Sequence, residues 1–229
     1  MATLSLLVPV FNEVATVEAA LEEICSAELP VDSRELIVVD DGSTDGTREL
    51  LRGRSWPDEV KVHFHDRNLG KGAAVRTALA HATGTYSGIM DADLEYSTAE
   101  YGRLLEPLAV GRAEAVFGVR GFDSHAAYNF WYVMGNKFVT QAANVLYNTW
   151  LADLMTCQKV MRTDLFRSLP LRERGFGIEP EIAARLMRKR VRIYEVPITY
   201  KSRGRDEGKK LTALDGLRVL RTLLRCRFT

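Results

Sequence analysis

Ile89-Met90-Asp91-Ala92-Asp93-Leu94-Glu95 decides the fold, because it closes a strand and marks where the polar chemistry of the chain collects. Residues 85–90, after Gly84, form a short and mostly apolar run that reads as a buried strand. Asp91, Asp93 and Glu95 follow on alternate positions, which in an extended backbone share one face. Like charges crowded there repel each other unless something positive sits among them. A hard divalent cation meets that need and keeps substrate phosphates and waters in its remaining positions. The other reading is a solvated acidic turn that merely ends the strand.

The same strand-then-polar pattern recurs upstream. Residues 4–11 read as a first buried strand ending at Asn12 and Glu13, and a helix follows over about 14–27. Residues 35–43 make a second strand that runs through Asp40 and Asp41 into a Gly/Ser turn. Thr44 or Asp45 can cap the next helix, roughly 46–52. A third strand over 60–65 leads to Asn68-Leu69-Gly70-Lys71-Gly72 and a helix over 73–82. Strands alternating with helices predict an α/β fold, a Rossmann-like, mainly parallel central sheet with helices on both faces. Ligands of such sheets sit beyond the carboxyl ends of the strands, and four polar clusters fall there in succession. The glycine loop is neither a P-loop nor a GxGxxG fingerprint. It can offer amides and one cation to an anion, or be a plain turn before a helix.

At 229 residues the chain is read as one domain, or as one domain over 1–210 with a C-terminal basic amphipathic helix over 211–229. A net charge of +1 gives no bulk attraction for nucleic acid. Cys25, Cys157 and Cys226 match no zinc spacing and suggest no disulfide framework, which fits a reducing, cytoplasmic compartment. The apolar run 4–10 is too short for a signal peptide, and no uncharged apolar run reaches the length of a membrane span. A membrane role would therefore be peripheral, at the cytoplasmic face, or would use a membrane partner subunit. Between His125 and Asp153 the only charged residue is Lys137, and aromatic residues abound. Residues 128–148 read as interfacial helices, as a core helix packed on the sheet, or as the face of a homodimer.

In order along the chain come Val8-Pro9-Val10-Phe11-Asn12-Glu13, Val38-Val39-Asp40-Asp41-Gly42-Ser43-Thr44-Asp45, Asn68-Leu69-Gly70-Lys71-Gly72 and Met90-Asp91-Ala92-Asp93-Leu94. They continue through Asp153-Leu154-Met155-Thr156-Cys157-Gln158-Lys159, Phe176-Gly177-Ile178-Glu179-Pro180-Glu181, Val196-Pro197-Ile198-Thr199-Tyr200 and Glu207-Gly208-Lys209-Lys210. This ordered set resembles the family 2 glycosyltransferases of GT-A fold, most of all the dolichyl- or polyprenyl-phosphate sugar synthases. The resemblance implies that Pro9, Phe11, Glu13, Val39 and Asp41 line a nucleotide pocket, with Asn12 beside them and Lys71 close by. It implies that Asp91 and Ala92 face the ribose and diphosphate of a GDP- or UDP-sugar. Asp93 would bind Mg²⁺ or Mn²⁺, with Glu95 as second ligand. Arg120 would contact the donor, and Arg203 and Lys209 would sit in a loop that closes over the diphosphate.

A nucleoside diphosphate leaving group gains negative charge as it departs, and the acidic cluster's cation and the basic stretch 201–210 are placed to offset it. The same stretch also reads as a solvated surface loop. A sugar hydroxyl acceptor needs a base, whereas a phosphate monoester, with a second pKa of about 6, does not. Family members that act on hydroxyls place an acidic pair where this chain has Met-Thr-Cys-Gln, residues 155–158. That absence suits a polyprenyl phosphate acceptor and inversion by direct displacement. Asp153 is the nearby carboxylate, either as a base or as a partner that holds Lys159 or Arg162. Two other readings stand: transfer to a soluble or glycan hydroxyl, and a non-catalytic nucleotide-sugar-binding subunit of a membrane complex.

Overall fold

The computed structural model describes residues 2–121, 130–201 and 213–229. Strands β1 (Thr3–Val10), β2 (Ser33–Asp40), β3 (Val60–Phe64) and β4 (Tyr86–Ile89) pair in parallel, with helices α1 (Val17–Ser26), α2 (Thr47–Gly53) and α3 (Lys71–His81) in the crossovers. Then come α4 (Tyr101–Ala109), β5 (Ala115–Arg120), α5 (Phe130–Tyr147), β6 (Lys159–Arg162), α6 (Thr163–Arg167), α7 (Ile178–Arg188), β7 (Ile193–Ile198) and α8 (Ala213–Phe228). The strands form one sheet in the order β3-β2-β1-β4-β6-β5-β7. β5 and β7 are parallel, and β6 runs antiparallel to both β4 and β5. The α/β expectation is borne out, with β6 as the one reversed strand among those described.

Alternation along the strands divides the core in two. Leu6, Val8, Leu36 and Val38 pack with α1 and α4, through Leu21, Ile24, Leu104 and Leu105. Leu7, Ile37, Val39 and Ile89 pack on the other face with Ala74, Val75 and Ala78 of α3 and with residues of α7 and α8. Both faces are covered, so the central strands are apolar at nearly every position. The register pairs Val10 with Asp40 and Asp40 with Phe64, so the carboxyl ends of β1, β2 and β3 finish together.

Residues 130–147 form one helix, α5, which buries Asn136, Val139, Thr140, Ala143 and Asn144. It packs against α7 and α8. Phe130, Met134, Phe138 and Val145 remain exposed. No helix among the described residues is long and apolar enough to cross a membrane.

At the opposite end of the sheet from the polar clusters, Glu35 ties four segments together. It accepts hydrogen bonds from Ser5, from the amide and hydroxyl of Thr83, and from Lys61. Burial alone would raise its carboxyl, but Lys61, Thr83 and Ser5 hold it at about 2, against an ordinary 4.5. The ionised form therefore stabilises the fold fully above about 4.5, and that contribution is lost as pH falls towards 2. Glu35→Gln is expected to cost about 1–3 kcal/mol at pH 7, and the difference from the parent should shrink through that acid window in urea titrations.

Candidate active site

Beyond the carboxyl ends of β1, β2 and β4 lies a cavity of ≈ 400 Å³. Pro9, Val10, Phe11 and Glu13 enter it from β1, Asp41 from β2, and Asn68, Gly70 and Lys71 from the loop into α3. Asp91, Ala92, Asp93, Glu95 and Tyr96 follow β4, Arg120 ends β5, and Tyr200 follows β7. Met155, Cys157, Gly175, Phe176 and Glu179 complete the wall on the other side.

The acidic turn is not extended. The strand ends at Ile89, and Leu94 takes a left-handed φ of 60°. Asp93 Oδ1 accepts a hydrogen bond from the Glu95 amide at 3.0 Å, an Asx turn that reverses the chain. The expectation that alternate positions align three carboxylates on one strand face is therefore corrected: the turn, not a pleat, brings them to the cavity. Glu95 is fixed from β7. Its Oε2 accepts from the Tyr200 hydroxyl at 2.8 Å, and its carbonyl accepts from the Lys201 amide at 2.9 Å. The Tyr96 and Tyr200 rings meet at 5.1 Å over the same bridge.

Charge decides what this cavity can take. Among the described residues its lining holds six carboxylates (Glu13, Asp41, Asp91, Asp93, Glu95 and Glu179) against two cations, Lys71 and Arg120. An incoming diphosphate adds further negative charge. Among the described residues no three His, Cys, Asp or Glu side chains gather closely enough to cage a metal by themselves. Mg²⁺ or Mn²⁺ takes one or two carboxylates and fills its shell with phosphate oxygens and water. Hard oxygen donors of the right number are present in Asp93 and Glu95, so the residues fit such an ion.

The glycine loop does hold an anion, and the anion is internal. The Leu69 and Gly70 amides donate to the Asp41 carboxylate at 2.9 and 2.7 Å. His65 Nδ1 lies 2.7 Å from Asp41 Oδ1, and its Nε2 lies 2.9 Å from the Thr77 hydroxyl. The start of α3 is covered too, since the Ala73 amide donates to the Arg174 carbonyl at 3.1 Å. Gly70, at φ 96°, and Gly72 are required there: a Cβ on either would stand 2.4 Å from the carbonyl oxygen of Arg174 or Glu173. The loop thus contributes to the cavity mainly through the Lys71 side chain.

Lys71 Nζ lies 2.8 Å from both Asp91 oxygens, 2.7 Å from Glu179 Oε1 and 3.2 Å from Cys157 Sγ. Burial opposes its charge, yet Asp91 and Glu179 hold it well above the usual lysine range. Burial, then the Asp91 carboxylate, push the Cys157 thiol well up, so it stays protonated. Glu179 is 2% exposed, and its Oε2 has no hydrogen-bond partner among the described residues. Arg120 is held from behind: Asp153 receives its Nε at 2.7 Å and Nη2 at 2.8 Å, and the Tyr200 ring lies 5.2 Å from the guanidinium.

Ten of the residues expected at a nucleotide site therefore share one wall: Pro9, Phe11, Glu13, Asp41, Lys71, Asp91, Ala92, Asp93, Glu95 and Arg120. Three others lie off it. Val39 is buried in the sheet core. Asn12 turns at φ 54° to accept the Thr44 amide through its side chain. Asp153 is fully buried behind Arg120 and holds that residue, not Lys159 or Arg162. Lys159 bonds the Leu154 and Thr156 carbonyls, and Arg162 pairs with Asp164. Arg203 and Lys209 lie outside the described residues. The sequence reading assigned no role to His65, Glu179, Tyr96 or Tyr200. Glu179 and Tyr200 stand inside quoted motifs, whereas His65 carries no signal beyond its place at a strand end.

A model of the family described as glycosyl transferase family 2 matches residues 5–169. Glycosyltransferase AglJ of Haloferax volcanii is 28% identical over 198 residues, covering 85% of this chain and 62% of AglJ, so the chain spans less than two thirds of that relative. The undecaprenyl-phosphate mannosyltransferase of Micrococcus luteus is 27% identical over 226 residues, 93% of this chain and 90% of its own. Among solved structures, glucosyl-3-phosphoglycerate synthase of Mycobacterium tuberculosis, with Mn²⁺, UDP-glucose and phosphoglyceric acid, superposes with a TM-score of 0.74. It is 24% identical and covers 99% of this chain and 80% of its own, a likeness of fold.

Proposed function

The chain belongs to glycosyl transferase family 2, and from that premise we propose that it moves a sugar, with inversion, from a GDP- or UDP-sugar to a polyprenyl phosphate. The observation that carries the donor half is the cavity at the strand ends, where carboxylates outnumber cations six to two among the described residues. Such a site disfavours a diphosphate alone and suits one that arrives with a divalent cation. When bound by Asp93 and Glu95, that cation supplies charge stabilisation for the departing diphosphate. The rest is done by the chain itself. Lys71 and Arg120 hold donor oxygens, each fixed by a carboxylate behind it. Asp41 anchors the loop that carries Lys71.

The acceptor half rests on the wall at residues 155–157, where Met155 and Cys157 enter the cavity and Asp153 does not. A phosphate oxygen attacks the anomeric carbon, the bond to the nucleoside diphosphate breaks, and the leaving group takes the electron pair. No proton has to be removed from an acceptor that is already ionised. The polyprenyl reading also agrees with the undecaprenyl-phosphate mannosyltransferase, of which the chain spans 90%. We assign the exposed face of α5, with Phe130, Met134 and Phe138, to the cytoplasmic membrane surface or to a membrane partner subunit.

One observation favours a second reading. Glu179 Oε2 is a buried carboxylate oxygen in the cavity wall with no hydrogen-bond partner among the described residues, and could serve as a base for a hydroxyl acceptor. Radiolabelled nucleotide sugars offered with undecaprenyl phosphate vesicles separate the two. The first reading expects label in the organic phase, abolished by chelator. Label confined to water-soluble glycosides would favour the second. Donor binding with neither transfer nor hydrolysis under any metal would indicate a binding subunit.

A further inference from the structure

A second cavity, of ≈ 430 Å³, opens beside the first and shares Met155, Gly175 and Phe176 with it. Its charge is reversed. Among the described residues Arg218, Arg221 and Arg225 line it from α8, against one carboxylate, Glu173. With Thr222 these arginines stand at i, i+3, i+4 and i+7, so one face of the helix presents them all. Arg225 is committed: it pairs with Glu173 at 2.7 Å and Glu181 at 3.1 Å, which fixes α8 against α7 and the 173–177 segment. Arg221 is exposed and makes no ion pair among the described residues. The remaining walls, Met155, Phe176 and Val219, are apolar.

We propose that this second cavity is a phosphate-monoester subsite, in which Arg221 binds the acceptor's phosphate and Met155, Phe176 and Val219 receive the first carbons attached to it. Two neighbouring cavities of opposite charge suit two ligands of different demands. The acidic one needs a cation to admit a diphosphate, whereas the arginine-lined one takes an anion directly. The two cavities meet at Met155, Gly175 and Phe176, so ligands held in each would adjoin there. A neutral hydroxyl acceptor would have no use for the arginines. The proposal rests on the donor reading for its geometry, but its own chemistry is phosphate recognition and can fail separately.

The test is calorimetric, on the full chain with Mn²⁺. Three probes are farnesyl monophosphate, farnesol and glycerol 3-phosphate, and UDP reports the donor cavity. Farnesyl monophosphate should bind and farnesol should not. Arg221→Glu should weaken the monophosphate by roughly tenfold or more and leave UDP within about twofold. Arg221→Gln, a milder change at the same exposed position, should weaken it by less, and UDP binding reports that each variant is folded. If glycerol 3-phosphate binds as well and suffers the same loss, the site stands and its ligand is a soluble phosphate. Parental affinity for the monophosphate in both variants overturns the proposal. So does equal binding of farnesol. Lost UDP binding by the parent with the arginine-dependent phosphate binding intact would sink the donor reading and leave this subsite in place.

Discussion

Asp93→Asn is expected to lower kcat/KM by roughly 10²–10³-fold, with the fold unchanged. Asp93 is a surface-turn residue whose Oδ1 caps the Glu95 amide, and asparagine keeps an oxygen for that hydrogen bond. What the substitution removes is charge. In a cavity already rich in carboxylates the loss of one should, by repulsion alone, make donor binding easier. A fall in turnover would therefore show that the carboxylate acts by holding a cation. Steady-state rates with radiolabelled donor across a Mn²⁺ titration make the distinction, since raised metal should restore part of the loss. Parental turnover in the variant, or indifference of the parent to chelator, would refute the role given to the acidic turn.

Asp153→Asn is expected to destabilise the fold by about 3–5 kcal/mol, the usual cost of removing one partner from a buried ion pair. In a chain of this size that corresponds to a melting temperature lower by roughly 6–20 °C. Asp153 is 0% and Arg120 4% exposed, and the pair is bidentate. Asn136 and the Met155 amide add two further donors to the carboxylate. Burial would raise the Asp153 carboxyl, but Arg120, and then Asn136, hold it below its ordinary value of 3.8. The ionised form is therefore the stabilising one. Its contribution is complete above that ordinary value and declines as pH falls through the lowered one. Melting curves of parent and variant should accordingly converge in strong acid. Activity should fall more than stability explains, because Arg120 then loses the group that aims it at the cavity. A variant that melts with the parent at pH 7 would show that Arg120 is positioned by other means.

Much of this was readable in the residues. β1, β2 and β4 announce themselves as apolar runs that stop at Asn12, Asp41 and Asp91, and the strand-end rule then places one cavity for all three. β6 gives no such signal. It is four residues long, and its Lys159 is buried with Nζ 4.6 Å from the Phe117 ring centre, where a lysine is read as surface. Resemblance carries positions but not side-chain directions. Val39 alternates into the core with Ile37, and the left-handed backbone at Asn12 sends its side chain to Thr44. Buried charges on α7 are invisible for a similar reason: Glu179, Glu181 and Arg185 give no sign of burial until their partners are known. The glycine loop shows the opposite case, a correct expectation of an anion whose occupant, Asp41, comes from the chain itself.

β6 enters the sheet against both of its neighbours, so the peptide ahead of it arrives from the side by which the parallel strands leave. Met155 and Cys157 thus belong to no crossover that shapes the nucleotide half. Substitutions at Met155, half-buried at the cavity wall, can accumulate without slipping any parallel pair out of step. A lineage built on this plan is free to change the recipient of its sugar while keeping its currency of activated donors, and the reversed strand is what separates the two choices.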